Sequence, residues 1–247
     1  VDGDAMADAI NPETALPDGV TVPSSLTIST DTDYTGKLLK INGTIDSLDL
    51  FGFVTGKADF GLLVQEVDVD LDGGGFGGAG DLTDATLLQF GLNLGVAAPT
   101  DDLGVSVLVG GVGITADAGA LGVASLSSNA TDDTRSWLAV KAVGVGASLV
   151  GLPDVQGVVS NVGVKLNQSS GFADAGNTVP ATSFDWTMTG IDVDGDGAAD
   201  GINPETALPD GVTVPSSLTV SGDNDFTGKL LKINGTIDSL DLFGFVT

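Results

Sequence analysis

Residues 87–96 read "LLQFGLNLGV". Leu88, Phe90, Leu92, Leu94 and Val96 recur at every second position, with Gln89, Gly91, Asn93 and Gly95 between them. A period of two places the apolar set on one face of an extended strand, where an α-helix would scatter it around its circumference. The same alternation runs through Ala58, Phe60, Leu62 and Val64, which predicts an inward face there. In "EVDVDLD", Val67, Val69 and Leu71 alternate with Asp68, Asp70 and Asp72, a strand with one wet face. Further strands are expected at residues 103–109, 112–118, 137–150, 155–166 and 183–188, separated by acidic or Gly/Pro turns such as "APTDD", "NATDD" and "GLPD". Within "KLLKINGTIDSLDL", residues 37–50, the Asn42-Gly43 pair predicts a type I′ hairpin turn, repeated at Asn234-Gly235. Many strands joined by short turns predict an all-β fold, an antiparallel two-sheet sandwich, with a β-solenoid as the alternative.

Composition agrees and narrows the chemistry. Glycine is abundant, at 37 residues of 247, and the formal charge is −26. Of the 34 acidic residues only Glu13, Glu66 and Glu205 are glutamate, so aspartate dominates. The short Asp carboxylate suits turns and calcium loops, where it reaches its own backbone or a nearby cation. Eight scattered basic residues cannot neutralise phosphate, which argues against nucleic acid and anionic membranes as partners. Without Cys or His, disulfides, the usual zinc sites and Ser-His or Cys-His catalysis are excluded. No apolar run is long enough to cross a bilayer as a helix.

The chain repeats itself. Residues 1–55 and 193–247 differ at seven positions, Ala5, Met6, Ala9, Ile28, Thr30, Thr32 and Tyr34 and their counterparts, at an offset of 192 residues. Near-identity that extends into loops points to recent tandem duplication. Residues 1–192 are therefore expected to be one unit of an array and residues 193–247 a partial second copy, an excerpt from a longer protein. Because the second copy can occupy the place of the first, within a chain or in a neighbour, a strand-exchanged homo-oligomer is a further expectation.

The repeat begins inside an acidic loop. In "DVDGDGAADGIN", residues 192–203, acidic groups stand at loop positions one, three, five and nine: Asp192, Asp194, Asp196 and Asp200. Gly197 at position six permits a sharp turn, Ala198 offers a backbone carbonyl and Asn203 at position twelve a side-chain oxygen. Two carboxylates about 5 Å apart repel by roughly 3 kcal/mol at an effective dielectric near 20, so such a cluster calls for a cation. Hard oxygen donors select calcium. Asp2, Asp4, Asp8 and Asn11 repeat the pattern at the start of the chain, with Ala5 in place of the glycine, so weaker binding is expected there. A related start, "DVDLDGGG" from Asp68, has Phe76 and Ala79 at positions nine and twelve, which favours a solvated strand face.

Rival readings are weaker. "GFGGAG", residues 75–80, satisfies the GxGxxG spacing, but the strand before it alternates with acid and strand period resumes after it, so a dinucleotide fold is not expected. No carboxylate pair singles itself out for glycosidase chemistry, and Trp137 and Trp186 sit within strand patterns that favour core packing. No enzyme activity is expected. The sequons at Asn42, Asn129, Asn167 and Asn234 are short matches of a kind common by chance.

The acidic loop resembles the calcium loops of thrombospondin type 3 repeats and dockerins over about a dozen residues, with Asn203 replacing their final acid. "WLAVKAVGVGASLVGLPDV" and "LKINGTIDSLDLFGFVTG", with the long repeat, resemble tandem β-domains of giant acidic bacterial surface proteins described as adhesins or exoproteins. The resemblance implies a secreted or cell-surface location, calcium-stiffened units contacting neighbouring units, and a role in adhesion or extracellular scaffolding. A carbohydrate or cell-surface ligand for the unit itself is the alternative.

Overall fold

The computed structural model describes residues 38–52, 54–78, 80–95, 103–187 and 190–243, together with Pro12 and Pro17. Nine strands are present among them: β1 (Leu38–Leu50), β2 (Val54–Val69), β3 (Leu82–Asn93), β4 (Gly104–Val109), β5 (Val112–Ser127), β6 (Ser136–Val150), β7 (Val155–Ser170), β8 (Ile191–Asp192) and β9 (Leu230–Leu242). The all-β, antiparallel fold expected from the alternation is present, and the nine strands belong to one sheet of order β1-β2-β3-β5-β6-β7-β9. β4 continues the lane of β3: β2 pairs with β3 from Asp59 onward and with β4 at residues 54–57, and β5 pairs with both in turn. β8 flanks β2 on the side away from β3, because Val69 pairs with Leu82 and with Ile191. One sheet of this kind is compatible with either arrangement weighed from the sequence.

Residues 39–247 cluster as one compact unit, so the start of the second copy packs with the sheet of the first. After β8 the chain crosses the sheet as a strap, residues 199–228, with 3-10 turns at Pro204–Ala207 and Asn224–Thr227. The row beneath it is continuous in register across six strands: Gly61, Gly91, Gly122, Lys141, Lys165 and Lys232. The glycines make a trough. A Cβ at Gly61 would overlap the Ala207 carbonyl, and one at Gly91 would stand 2.8 Å from Leu208 Cγ and from the Pro204 carbonyl oxygen. Backbone can therefore approach backbone only where no side chain intervenes. Past the trough, the lysines hold the strap by charge. Lys141 Nζ donates to the Thr219 carbonyl at 3.0 Å and pairs with Asp223 at 2.9 Å. Lys165 bridges Asp223 and Asp225, each at 2.7 Å, and Lys232 pairs with Asp225 at 2.9 Å.

Beside this row lies the main core, where Val67, Val69, Leu82, Leu87, Leu126 and Trp137 of the sheet meet Phe184, Trp186, Ile202, Val220 and Phe226 of the strap and the segment before it. Both tryptophans are buried there, as their strand-like surroundings suggested. Asn167 is fully buried as a clasp: its Nδ2 donates to the Phe184 and Phe226 carbonyls and its Oδ1 accepts from Trp186 Nε1, so this sequon serves packing.

Three sequence expectations are corrected. The Asn42-Gly43 and Asn234-Gly235 pairs do not turn; both lie inside continuous strands, without positive φ. Asn42 Nδ2 reaches the Leu208 carbonyl of the strap at 3.5 Å, and Asn234 pairs with Gly163, so ladder and strap contacts outweigh the local turn preference. The reversal comes at Phe51-Gly52, with φ of 55° and 70° and the Gly52 amide donating to Asp49 Oδ1. Residues 183–187, the described part of the expected strand at 183–188, are not a strand; they deliver Phe184 and Trp186 to the core. Finally, of the face expected to point inward, Ala58 is buried but Phe60, Leu62 and Val64 are only half-buried, as are Leu92, Phe90 and Leu88 opposite them. The opposite face, with Asp59, Gly61, Leu63, Gln65, Leu87, Gln89, Gly91 and Asn93, is the buried one because the strap lies on it.

Candidate metal centre

Two acidic loops leave the sheet at the short β2–β8 ladder, where Asp68 pairs with Asp192 and Val69 with Ile191. In the first, Asp192 is buried and its two carboxylate oxygens accept from the amides of Gly195 at 2.7 Å and Gly197 at 2.8 Å. Both glycines have positive φ, near 80°, which turns their amides inward. The Val193 amide donates to Asp200 Oδ2 at 2.8 Å, and the Asp200 amide returns to the Ile191 carbonyl at 2.7 Å, closing the loop. Asp192, Asp194 and Asp200 thereby place one oxygen each within 4.8 Å of one another.

The other ligands expected from the sequence make the following contacts. Asp196 Oδ1 accepts from the Ala198 amide at 2.7 Å, an Asx turn, and Asp196 stands outside the convergent group. Asn203 is the cap of the 3-10 turn that starts the strap, its Oδ1 accepting from the Glu205 amide at 3.1 Å. Ala198 is exposed. Asp2, Asp4, Asp8 and Asn11 lie outside the described residues.

A second loop uses the same frame. Asp70 accepts from the amides of Gly73 at 2.7 Å and Gly75 at 2.8 Å, again two positive-φ glycines three and five residues on. The Leu71 amide donates to Asp81 Oδ1 at 2.9 Å, as Val193 does to Asp200. Asp70, Asp72 and Asp81 converge within 4.8 Å. Counting from Asp68 hides this site, since Asp68 accepts from the Asp84 amide. Counting from Asp70 puts Asp72 at position three, Gly75 at six and Asp81 at twelve, and that spacing was the available signal. The Gly75 amide is the main cause that holds the Asp70 carboxyl below its ordinary range. Such a carboxylate stays charged and keeps outward lone pairs for a cation.

Between the Asp70 loop and the core opens a cleft of about 570 Å³, lined by Asp70, Asp72, Arg135, Trp137, Phe184 and Asp185 among others. Arg135 lies over the Trp137 ring, 5.7 Å from its centroid, and pairs with Asp133 at 2.7 Å. No helix among the described residues is long and apolar enough to cross a membrane. Compared with protein-family models, curated proteins and solved structures, the chain finds no match in any of the three.

Proposed function

We propose that the chain is a non-catalytic structural repeat of a giant secreted or cell-surface bacterial protein, a spacer in adhesion, braced by calcium at the loops of Asp70 and Asp192. The observation that carries this reading is the shared frame of the two loops. Each spends backbone amides on its first aspartate and on its last, and each gathers three carboxylates, an all-oxygen set of the kind calcium takes. Both loops spring from the β2–β8 ladder, and the Asp192 loop leads directly into the strap. An ion at Asp192, Asp194 and Asp200 would tie the strap to the sheet at its point of entry, and one at Asp70, Asp72 and Asp81 would fix the adjoining end of β2.

The test is thermal melting with chelator and then with excess calcium. Binding to the folded state alone at a hundredfold excess over the dissociation constant adds about 2.7 kcal/mol, so melting should fall in chelator and recover with calcium. Asp192→Asn together with Asp70→Asn should abolish the response. Melting that ignores chelator would reduce both loops to ordinary turns.

The cleft favours a second reading, a ligand-binding module. Arg135, Trp137, Phe184 and the acidic loop meet there, aromatic and polar groups of the kind that line ligand pockets. Glycan-array binding abolished by Arg135→Ala would support it; no binding to any glycan, with calcium present, would reject it.

A further inference from the structure

β1 and β9 have one sequence, "LLKINGTIDSLDL", and lie at opposite ends of one sheet. β1 stands beside β2, and β9 stands beside β7. From β1 to β9 the path takes six steps. The first is the tight reversal at Phe51-Gly52 and the other five are antiparallel ladders, so β9 runs in the same direction as β1. An antiparallel sheet can repeat indefinitely only when its period holds an even number of lanes, and this one holds six.

Past the end of β9 the sequence from Phe243 to Thr247 copies Phe51 to Thr55, which leads β1 into β2. Phe243 has already adopted the uncommon positive φ of that reversal, 56° against 55° for Phe51. Leu39 and Ile41 of β1, beside β2, are 51% and 48% exposed, and Leu231 and Ile233 of β9, beside β7, are each 67% exposed. Thirteen residues of partly apolar strand edge are a feature that proteins ordinarily cover.

The geometry points to a shared strand. In the tandem array proposed above, on which this inference rests, β9 receives the β2 copy of the following repeat along its outer edge. Residues 230–242 are then the last lane of one repeat and the first lane of the next, and adjacent repeats form one uninterrupted antiparallel sheet with no linker between them. The residues just before this strand, 199–228, supply the strap that closes the preceding sheet, so each repeat is completed by its successor. Six lanes at about 4.8 Å give a repeat spacing of about 29 Å along the sheet, where a separate globular unit of this length would need roughly 40 Å.

The test extends the chain by one period, with residues 56–247 following Thr247. Amide exchange in residues 230–242 is compared between the 247-residue chain and the extended one. In the shorter chain alternate amides of the strand face outward and exchange freely; in the extended chain these same amides slow by on the order of 100-fold. Small-angle scattering should give the shorter spacing. Outer-edge amides that stay fast in the extended chain, with a spacing near that of separate units, overturn the inference. So does protection already present in the 247-residue chain and lost on dilution, which would make a second molecule the occupant of the edge. The calcium response of melting is recorded on both chains. A lost calcium response with gained amide protection would remove the metal reading and leave the shared strand standing, and the reverse result would do the opposite.

Discussion

The two faces of the sheet invert what their side chains suggest. One carries Phe60, Leu62, Val64, Leu88, Phe90, Leu92, Leu121, Val123, Val140 and Leu166, and it is half-buried. The other carries three glycines, three lysines, Gln65, Gln89, Asn93 and Asn167 among its alanines and leucines, and most of it is buried. The difference lies in what covers them. Glycines let the strap backbone sink onto the sheet, and several polar groups beneath it are engaged, although Gln65 Nε2 and Gln89 Oε1 find no partner: Lys141 and Lys165 hold Asp223, Asn167 holds two carbonyls and an indole, and Asn93 Nδ2 donates to Asp59. Burial therefore follows the fit of the covering segment, and hydrophobicity alone does not set it.

The sharpest way to break this comparison is to fill the trough. Gly91→Leu would drive a side chain into Leu208 and the Pro204 carbonyl, neither of which can retreat without lifting the strap. A loss of about 3 kcal/mol or more is expected, read as a lower midpoint in urea. If Gly91→Leu melts like the parent chain, the strap does not depend on the trough. A matched pair then compares the faces directly. Leu87 is fully buried and Leu88, its neighbour on the other face, is half-buried. Leu87→Ala should cost about 3 kcal/mol and Leu88→Ala about 1 kcal/mol. Equal costs would mean that the exposed-looking face is also covered.

This inversion explains how far the sequence could be read. Period-two alternation located most strands, because pleating forces side chains to alternate whatever lies above them. It could not say which face would be covered, since the strap arrives from residues 199–228, more than a hundred positions after Gly91. Local turn chemistry misled at Asn42-Gly43, where long-range pairing wins, and the true reversal at Phe51-Gly52 carries an aromatic in a conformation that sequence statistics disfavour. In the acidic loop, spacing named Asp192, Asp194 and Asp200, whose oxygens converge, together with Asp196, which stands outside that group and accepts from the Ala198 amide, and Asn203, which caps the 3-10 turn. The twin loop was one strand period away, at Asp70 in place of Asp68, and became visible only when Asp81 was brought back to it.

The smallest effect distinguishes the charged end of the strap from its glycine end. Burial alone would raise the Asp223 carboxyl, but hydrogen bonds from Lys165 and Lys141 and from the Asp225 amide outweigh it and bring the pKa down to about 2. The folded pKa lies below the unfolded value of 3.8, so the stabilisation is fully present above about pH 4 and is lost as pH falls toward 2. Allowing for partial solvent access, the share is about 1 kcal/mol. Acid will also relieve the general repulsion of a strongly anionic chain, which acts in the opposite direction. The measurement is therefore a difference: urea midpoints of the parent and of Asp223→Asn at pH 6, 4 and 2. The gap between them should be widest at pH 6 and narrow by about 1 kcal/mol at pH 2. A gap that does not change with pH would mean that the lysine row holds the strap by packing its long stems and that charge contributes nothing, which would make both ends of the strap matters of shape.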